Sequence, residues 1–475
     1  MSLTLSKIIE LLNPVAIVGC DGEILNQNID QVVYHIHEIQ AGFAFVNFKN
    51  EALARPCALL LQDEIDAEYH GPQLAFGTKL KECAEQLSLE LHRQNWQKVK
   101  FLAVTGTNGK SSVVQLCRQM IEAVDPKSCP SSVGTLGIAC GTWSRSLNNT
   151  TPMPIDLHRA FNDLVQRGSK VIVIEASSHG LAQGRLKGLL FEAVAFTSFG
   201  QDHLDFHNNM QMYLNAKLKL ADLCSGPLVI NLDEPAFKTL LSRDRAWGYS
   251  LEQLKAQAYV EILGTTLKGF KVQLHHDQQL INAEVPFWGK HNLQNLCAAT
   301  GLALALGYPM AALAQSWSEL SLPRGRLERV NTRALGEVRI DYAHTPDALR
   351  IVLEAARLHA PKAHLRILFG CGGDRDRGKR PLMGKIAAEL ADEGILTSDN
   401  SRSEDPQSIL NQILAGVEQP EKIHMEVDRL AAIQKALAQQ RVGDLLLLCG
   451  KGHETEQIRG QERIKMDEFE ICQNY

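Results

Sequence analysis

The sequence predicts an α/β protein of three domains, two of them built on doubly wound parallel sheets. Three observations support this fold class. The chain has 475 residues, of which 45% are hydrophobic, and this is more than one ordinary core accommodates. Short apolar runs alternate with helical stretches, a pattern typical of parallel sheets covered by helices on both faces. A glycine-rich loop also separates one of these runs from a helix, as nucleotide-binding sheets require.

The apolar runs predict the domain division 1–95, 96–322 and 323–475. The first is a small, divergent α/β domain, the second a central domain of the P-loop type with a parallel sheet, and the third a C-terminal, Rossmann-like domain. The predicted strands are the short apolar runs at 42–46, 58–61, 99–104, 171–174, 193–196, 227–230, 338–340, 365–369, 394–397 and 445–448. The predicted helices include 112–123, 346–359 and 381–391.

Composition excludes several classes of function. The charged fraction is 22% and the formal net charge is -5, so we expect no nucleic-acid partner. No apolar run approaches the roughly 18 residues of a membrane span, and the N-terminus lacks the features of a signal peptide. We therefore expect a cytoplasmic protein with small-molecule substrates and no membrane partner. We also expect a monomer. The 11 cysteines form no C-x-x-C pair, which favours buried thiols over disulfides or zinc sites.

A candidate phosphate loop follows the strand at 99–104 and opens a helix. Glycines let backbone N–H groups approach phosphate oxygens at a helix N-terminus. Lys110 would then reach the β- and γ-phosphates of ATP, and the Ser111 hydroxyl would bind Mg²⁺. The alternative is a glycine turn with a chance lysine. The predicted cofactor-binding loop is Thr105, Gly106, Thr107, Asn108, Gly109, Lys110 and Ser111.

Acidic and imidazole side chains follow two neighbouring strands. Glu175 ends the strand at 171–174, where open α/β sheets place ligands, and its carboxylate could hold Mg²⁺. His203 lies between Asp202 and Asp205 after the strand at 193–196, and could bind the metal or orient the nucleotide. The alternatives are a helix-capping cluster at Glu175 and a structural histidine.

The compact form of the loop at 105–111 resembles that of the Mur ligase and folylpolyglutamate synthetase superfamily. The resemblance implies catalytic roles for Lys110, Glu175, His203 and Lys217. It also implies that Lys217, in a Tyr-x-x-Ala-Lys segment, is carbamylated and binds a second Mg²⁺, since a carbamate turns the cation into an anion. Residue type alone predicts a solvated helix lysine, and Lys219 competes for the role.

Segments of the second half extend the resemblance to nucleotide contacts. Asn292 lies in a Gly-x-x-Asn-x-x-Asn segment for which adenine contacts are implied, although without the family it reads as a helix cap. Arg326 suits a phosphate clamp, because guanidinium binds phosphate in a bidentate way. Asp341 and His344 lie in the turn after a strand, and the resemblance places both near the nucleotide.

Several motifs resemble the branch of the family that adds the third peptide residue to UDP-MurNAc-L-Ala-D-Glu. The implied contacts to the UDP-sugar dipeptide are Asn149, Thr150, Thr151, Ser178, Gln183 and Arg185. The implied contacts to the amino acid are Arg375, Asp399, Asn400, Ser401, Arg402, Gly450 and Glu454. Ser401 stands where the family's Asp-Asn-Pro-Arg signature has proline. The Arg402 guanidinium can pair with the distal carboxylate that diaminopimelate has and lysine lacks.

The resemblance implies an ATP- and Mg²⁺-dependent ligase that adds meso-diaminopimelate through an acyl phosphate, in peptidoglycan precursor synthesis. The N-terminal domain departs from the family pattern: Asp-Ser-Arg is absent from 33–45, and the loop after Val46 is short. No uridine contacts are assigned there. One alternative is therefore the same machinery with a different carboxylate acceptor. Another is a catalytically silent scaffold, which would be expected to lose some of the catalytic residues, and all four are present.

Overall fold

The computed structural model describes residues 2–35, 38–47 and 57–475. Contacts between Cα atoms divide the chain into two compact units. Unit 1 comprises 1–230, 236–246 and 305–307, and unit 2 comprises 231–235, 247–304 and 308–475. The boundaries of the three domains stay a prediction.

Unit 1 begins with the small α/β fold predicted for the N-terminal domain. Its sheet has the order β2-β7-β6-β5-β4, with β2 antiparallel to β7 and the other neighbours parallel. Its elements are β1 (Leu3–Thr4), α1 (Leu5–Leu12), β2 (Ala16–Val18), β3 (Asn28–Ile29), β4 (Gln31–Val33), β5 (Phe43–Val46), β6 (Leu59–Gln62), β7 (Gln73–Ala75) and α2 (Leu80–His92). The short loop after Val46 and part of the stretch 33–45 lie outside the described residues.

The central sheet of unit 1 carries the predicted phosphate loop. Its strand order is β11-β10-β9-β12-β8-β13-β14, in which β9, β12, β8, β13 and β14 are parallel and the hairpin partners β10 and β11 are antiparallel. Its elements are β8 (Lys100–Thr105), α3 (Lys110–Val124), β9 (Ser131–Gly134), β10 (Gly137–Cys140), β11 (Trp143–Arg145), α4 (Pro154–Gln166), β12 (Val171–Glu175), α5 (Ser178–Ala182), β13 (Ala193–Phe196), α6 (Leu204–His207), α7 (Met210–Leu218) and β14 (Leu228–Asn231).

The register of this sheet decides which side chains can meet. Glu175 is paired with Val104 and Phe196 with Thr105. The carboxyl ends of β8, β12 and β13 therefore lie at one edge, where parallel sheets bind ligands. The strands are buried along almost their whole length, as Val- and Ile-rich parallel strands are when helices cover both faces.

Unit 2 begins with a four-stranded ribbon that the sequence analysis did not predict. The order is β15-β16-β17-β18, in which β15 and β16 are parallel and the other two pairs are antiparallel. Side chains of β18 are mostly exposed or partly buried. The elements are β15 (Ala246–Ser250), β16 (Ala258–Thr266), β17 (Gly269–His276), β18 (Gln279–Val285), α8 (Lys290–Ala305) and α9 (Met310–Ser316).

The C-terminal sheet of unit 2 confirms the predicted doubly wound pattern. Its order is β19-β20-β24-β21-β22-β23, parallel except for the β19–β20 pair. The elements are β19 (Glu328–Val330), β20 (Glu337–Asp341), α10 (Pro346–His359), β21 (Leu365–Phe369), α11 (Lys379–Leu390), β22 (Glu393–Leu396), α12 (Pro406–Leu414), β23 (Ile423–Met425), α13 (Arg429–Ala438), β24 (Leu445–Cys449), β25 (Glu456–Arg459), β26 (Glu462–Lys465) and α14 (Glu468–Asn474).

Two general expectations can be compared with these elements. Among the described residues, every helix is too short or too polar to cross a membrane. All 11 cysteines are free thiols, and apart from the partly exposed Cys20 and Cys129 they are buried.

Candidate active site

The predicted phosphate loop connects the end of β8 to the start of α3. Gly106 and Gly109 have φ angles of +155° and +88°, which side chains rarely adopt. A Cβ atom on Gly106 would also lie 1.9 Å from the Thr197 Oγ1. Glycine is therefore required where the loop passes Thr197, directly after β13.

Two lysines converge on the carbonyl group of Gly106. The Lys110 Nζ donates to this oxygen at 3.0 Å and to the Thr107 oxygen at 2.9 Å. The Lys217 Nζ, on α7, donates to the same Gly106 oxygen at 2.7 Å. Two ammonium groups on one acceptor repel each other, so the arrangement favours a neutral or modified amine at one of them.

Lys217 is the buried member of this pair. Its side chain is 1% exposed, whereas Lys219 is exposed. Burial, and then the charge of Lys110, lower the pKa of Lys217 well below its ordinary value. The alternative of a solvated Lys217 is thus wrong, while the carbamylation of Lys217 stays a prediction.

Tyr213 joins Lys217 to the loop. Its ring lies 4.3 Å from the Lys217 Nζ, and its hydroxyl is 3.1 Å from the Thr107 Oγ1. Thr107 also exchanges hydrogen bonds with Gly200, in the segment that follows β13. The helix α7 is therefore fixed against the loop at 105–111 by side chains at one-turn spacing.

Glu175 lies at the end of β12 and is 2% exposed. Its Oε1 accepts from the Thr135 N–H at 2.9 Å and its Oε2 from the Thr135 hydroxyl at 3.1 Å. Burial raises the pKa of Glu175, while the charge of Lys110 and the Ser111 hydroxyl oppose this. Gly134 leaves the space for the carboxylate, since a Cβ atom there would be 2.2 Å from the Oε1.

The Ser111 hydroxyl and the Glu175 carboxylate together suit a Mg²⁺ ion. Both are hard oxygen donors, and they meet at the N-terminus of α3, beside a loop shaped for phosphates. Among the described residues no group of three or more His, Cys, Asp or Glu side chains could hold a metal ion. At nucleotides, Mg²⁺ is commonly held by one or two protein oxygens together with phosphate and water.

His203 occupies the left-handed region, with φ +52°, at the N-terminus of α6. Its backbone N–H donates to the Asp202 Oδ1 at 2.9 Å, and its ring lies 4.7 Å from that of His179. The His203 and Tyr213 ring centroids are 6.2 Å apart. The structure thus places His203 beside the loop through Tyr213, and its role as a metal ligand stays a prediction.

The residues predicted to touch the UDP-sugar dipeptide lie around the turn before α4. The Thr151 hydroxyl donates to the backbone carbonyl oxygen of Glu175 at 2.7 Å and accepts from the Ser177 N–H at 2.9 Å. Arg185 donates to the Thr151 oxygen at 2.5 Å and to the Gln183 Oε1 at 2.9 Å. Thr151 is fully buried, so its hydroxyl stabilises the turn.

The other three residues of this set differ in exposure. The Thr150 Oγ1 lies 3.0 Å from the Thr135 Oγ1, at the edge of the Glu175 site. Asn149 is exposed, whereas Ser178 is buried at the start of α5. Their substrate contacts stay predictions.

In unit 2, Asp341 fixes the backbone around Arg326. Its carboxylate accepts from the N–H groups of Leu327 and Ala343, each at 2.7 Å. Burial raises the pKa of Asp341, and the charge of Arg326 opposes this shift. Arg326 lies over the Tyr342 ring at 5.4 Å. Asp341 is therefore a positioning residue for the turn that presents Arg326.

Asn292 and His344 are also engaged within unit 2. The Asn292 Nδ2 donates to the Trp288 oxygen at 2.8 Å, and the residue is 2% exposed. The His344 Nδ1 lies 2.9 Å from the Tyr342 oxygen and so donates to it. Asn292 lies within the first turn of α8 and its amide donates, so it is not the helix cap that residue type alone suggested. The nucleotide contacts of both residues stay predictions.

Three residues of the predicted amino-acid site, Asp399, Asn400 and Glu454, join in one network at the carboxyl end of the C-terminal sheet. Lys451 is fully buried and its Nζ donates to the Glu454 Oε2 at 3.1 Å and the Asn400 Oδ1 at 3.3 Å. The Asn400 Nδ2 also donates to the Glu454 Oε2, at 3.0 Å. The Asp399 Oδ1 accepts from the Asn400 N–H at 2.7 Å. Gly450, with φ +110°, lets β24 pass close to Asp399.

Arg402 lies beside this network in a constrained backbone conformation. Its φ angle is +51°, and its Nη1 donates to the Gly373 oxygen at 2.8 Å. Ser401 is buried and Arg375 is exposed. A guanidinium fixed on one side by a carbonyl presents its remaining N–H groups in a set direction, which suits recognition of a carboxylate.

Two residues of these networks were missed by the sequence analysis. Thr135 lies 40 residues before Glu175 in the chain, so no local motif could connect them. The two flanking glycines, Gly450 and Gly452, could have indicated a special position for Lys451, but an isolated lysine usually lies in solvent. Its burial became visible only in the folded chain.

Comparison with known proteins agrees with this geometry. Residues 104–303 match the model of the Mur ligase middle domain, and residues 325–452 match that of the Mur ligase, glutamate ligase domain. UDP-N-acetylmuramoyl-L-alanyl-D-glutamate--2,6-diaminopimelate ligase of Trichormus variabilis is 39% identical over 383 residues, 79% of this chain and 76% of the relative. The ligase of the same name from Thermosynechococcus vestitus is 34% identical over 484 aligned residues, 98% of this chain and 97% of the relative.

Solved structures show the same architecture. A structure of a UDP-N-acetylmuramoyl-L-alanyl-D-glutamate--2,6-diaminopimelate ligase has a TM-score of 0.69 at 29% identity, covering 99% of this chain and 98% of its own. MurF ligase of Thermotoga maritima in complex with ADP, at 14% identity and a TM-score of 0.66, covers 88% of this chain and 93% of its own and shares the fold. The chain therefore belongs to the Mur ligase family and is an ATP-dependent ligase.

Proposed function

We propose that the protein adds meso-diaminopimelate to UDP-N-acetylmuramoyl-L-alanyl-D-glutamate, in peptidoglycan precursor synthesis. The observation that carries the substrate assignment is the alignment along almost the whole chain to a ligase named for that reaction. The Asp399–Arg402 segment, with its guanidinium beside a buried polar network, supports diaminopimelate as the amino acid.

The loop at 105–111 would bind the triphosphate of ATP. Lys110 would release the carbonyls of Gly106 and Thr107 and contact the β- and γ-phosphates. The acceptor carboxylate attacks the γ-phosphorus, ADP leaves and an acyl phosphate forms. The amine of diaminopimelate then attacks the acyl carbon, phosphate leaves, and an amide bond has formed. Positioning and charge stabilisation supply most of the catalysis.

Ser111 and Glu175 would hold Mg²⁺, with His203 assisting. The ion would offset the charge that ATP and the acceptor carboxylate bring together. Thr135 keeps the Glu175 carboxylate aimed at the Ser111 hydroxyl through two hydrogen bonds. Burial would otherwise favour the protonated carboxyl group, which binds cations poorly.

Lys217 is proposed to act as a carbamate that binds a second Mg²⁺. Carbamylation requires a neutral amine to attack CO₂, and burial beside Lys110 lowers the pKa of Lys217. Lys217→Ala should lose most activity and regain it with added small carboxylates. The measurement is phosphate release by this variant in the presence and absence of acetate. If the variant is as active as the wild type without acetate, Lys217 does not act as a carbamate. Lys219→Ala is the matched control, since Lys219 is exposed.

We further propose that the chain acts as a cytoplasmic monomer with the domain division 1–95, 96–322 and 323–475. The residues proposed for ATP, acceptor and amino acid all come from one chain. Their small polar substrates also require no membrane contact.

The test is phosphate release by the purified full-length protein with MgATP and UDP-MurNAc-L-Ala-D-Glu. Release should require meso-diaminopimelate and be weak with L-lysine, and Arg402→Gln should lose this preference. Release that depends on diaminopimelate but not on the UDP-dipeptide would indicate that the enzyme uses another carboxylate acceptor. The divergent 33–45 segment favours this alternative. ATP binding without release in any combination would contradict the ligase assignment.

A further inference from the structure

Two cysteines lie at the open end of a hairpin whose turn supports Glu175. Cys129 comes just before β9, and Cys140 ends β10. The ladder pairs Cys140 with Ser131, so Cys129 lies beyond the last paired residue. The turn at the other end of the hairpin contains Thr135, whose N–H and hydroxyl bind the Glu175 carboxylate.

The two sulfur atoms are in direct contact. The Cys129 Sγ and Cys140 Sγ are 3.2 Å apart. A disulfide needs an S–S distance of about 2.05 Å, so an approach of roughly 1 Å would suffice, which small side-chain rotations supply. Cys129 lies outside the ladder in the left-handed region, with φ +45°, and its side chain is therefore not held perpendicular to the sheet.

The two thiols differ in exposure, which makes Cys129 the thiol that is oxidised first and Cys140 the one that resolves it. Cys129 is partly exposed, so a small oxidant can reach it, whereas Cys140 is 6% exposed. A sulfenic acid formed at Cys129 would meet the Cys140 thiol before it met a second oxidant molecule. Such a resolving thiol beside an accessible one is the arrangement found in reversible redox pairs.

We propose that Cys129 and Cys140 form a modification site, an intramolecular disulfide that a peroxide creates and a thiol reductant reverses. The Cys129 thiolate attacks one peroxide oxygen, the O–O bond breaks, and the first water leaves. The Cys140 thiol then displaces the sulfenic hydroxyl group as the second water. Two thiols lose two electrons and two protons, and the peroxide is reduced to two waters.

The local electrostatics make this a slow reaction. Burial, the neighbouring Cys140 and the charge of Glu122 raise the pKa of Cys129 to about 11. The thiolate fraction at neutral pH is therefore small, and the pair should remain reduced until oxidant persists. Once formed, the bond would close the hairpin at the end opposite Thr135 and restrict its opening.

The experiment treats the full-length protein with hydrogen peroxide, blocks the remaining thiols and maps the peptides by mass. We expect a species that contains Cys129 and Cys140 joined, two hydrogen masses lighter, with free thiols falling from eleven to nine. Dithiothreitol should restore all eleven. Amide hydrogen exchange across 131–140 should be slower in the oxidised protein than in the reduced one.

Two variants make the test specific. Cys140→Ser should abolish the cross-link, and Cys20→Ser, which removes the other partly exposed thiol, should leave it intact. The inference is overturned if other cysteines lose their thiols while Cys129 and Cys140 remain alkylatable. It is also overturned if the cross-linked hairpin exchanges as fast as the reduced one. None of these readouts depends on turnover, so failure of the proposed function would leave them unchanged.

Discussion

Replacing Thr135 by valine removes one of the two hydrogen bonds that hold Glu175, with almost no change in volume. The Oε2 of Glu175 loses its donor at 3.1 Å, while the Thr135 N–H still binds the Oε1 at 2.9 Å. A hydrogen bond to a charged group contributes about 1.5–3 kcal/mol. Thr135 is exposed, so water replaces part of this, and we expect a net loss of about 1–1.5 kcal/mol.

This loss should appear as weaker binding of Mg²⁺ at the proposed site of Ser111 and Glu175. A free-energy change of 1.4 kcal/mol corresponds to about tenfold in an equilibrium constant, so the Mg²⁺ concentration for half-maximal phosphate release should rise roughly 5- to 10-fold. The assay is a Mg²⁺ titration at fixed ATP. Thr135→Ser keeps the hydroxyl and should behave as wild type. An unchanged midpoint in the valine variant, or an equal shift in the serine variant, would refute the assignment.

Three further changes test other parts of the structure. Gly134→Ala places a Cβ atom 2.2 Å from the Glu175 Oε1 and should reduce phosphate release at least about tenfold, while an unchanged circular dichroism spectrum serves as the control for folding. Glu468→Ala breaks a fully buried ion pair with Arg429 at 2.7 Å and should lower the free energy of unfolding by about 3–5 kcal/mol in urea; a loss below 1 kcal/mol would be too small for such a pair. Burial lowers the pKa of His359 from 6.5 to about 4, so only the unfolded chain takes up this proton between those values and stability falls as pH falls through that window. Near pH 5, unfolding of the His359→Phe variant should therefore take up about one proton fewer than unfolding of the wild type. If the urea midpoints of the two proteins depend on pH in the same way, the burial argument is contradicted.

The sequence predicted most of the elements, because their signals are local. The strand, glycine loop and helix around 105–111 follow from apolar runs and from residues that tolerate positive φ angles. Pro346–His359 was placed at its observed bounds, since proline at the first helical position and an amphipathic pattern both mark a helix. The ribbon from Ala258 to Val285 was missed, because its partly exposed strands carry alternating polar residues in place of continuous apolar runs.

The site residues divide along a similar line. Lys110 and Glu175 could be proposed from their positions after strands, whereas the burial of Lys217 could not. A lysine in a helix is usually solvated, and α7 shows no apolar face that would indicate burial around it. Thr135 reaches Glu175 across 40 residues of sequence, and a hydrogen bond at that separation depends on strand order, which single residues do not encode.

The carbonyl of Gly106 carries a consequence for ligand selection. With Lys110 already hydrogen-bonded to the oxygens of Gly106 and Thr107, the loop satisfies its own cation. If the loop binds ATP as proposed, the β- and γ-phosphates would have to attract Lys110 more strongly than the two carbonyls that they displace. A nucleoside monophosphate has neither of these phosphates to offer. We therefore expect the internal hydrogen bonds of Lys110 to favour ATP over nucleoside monophosphates.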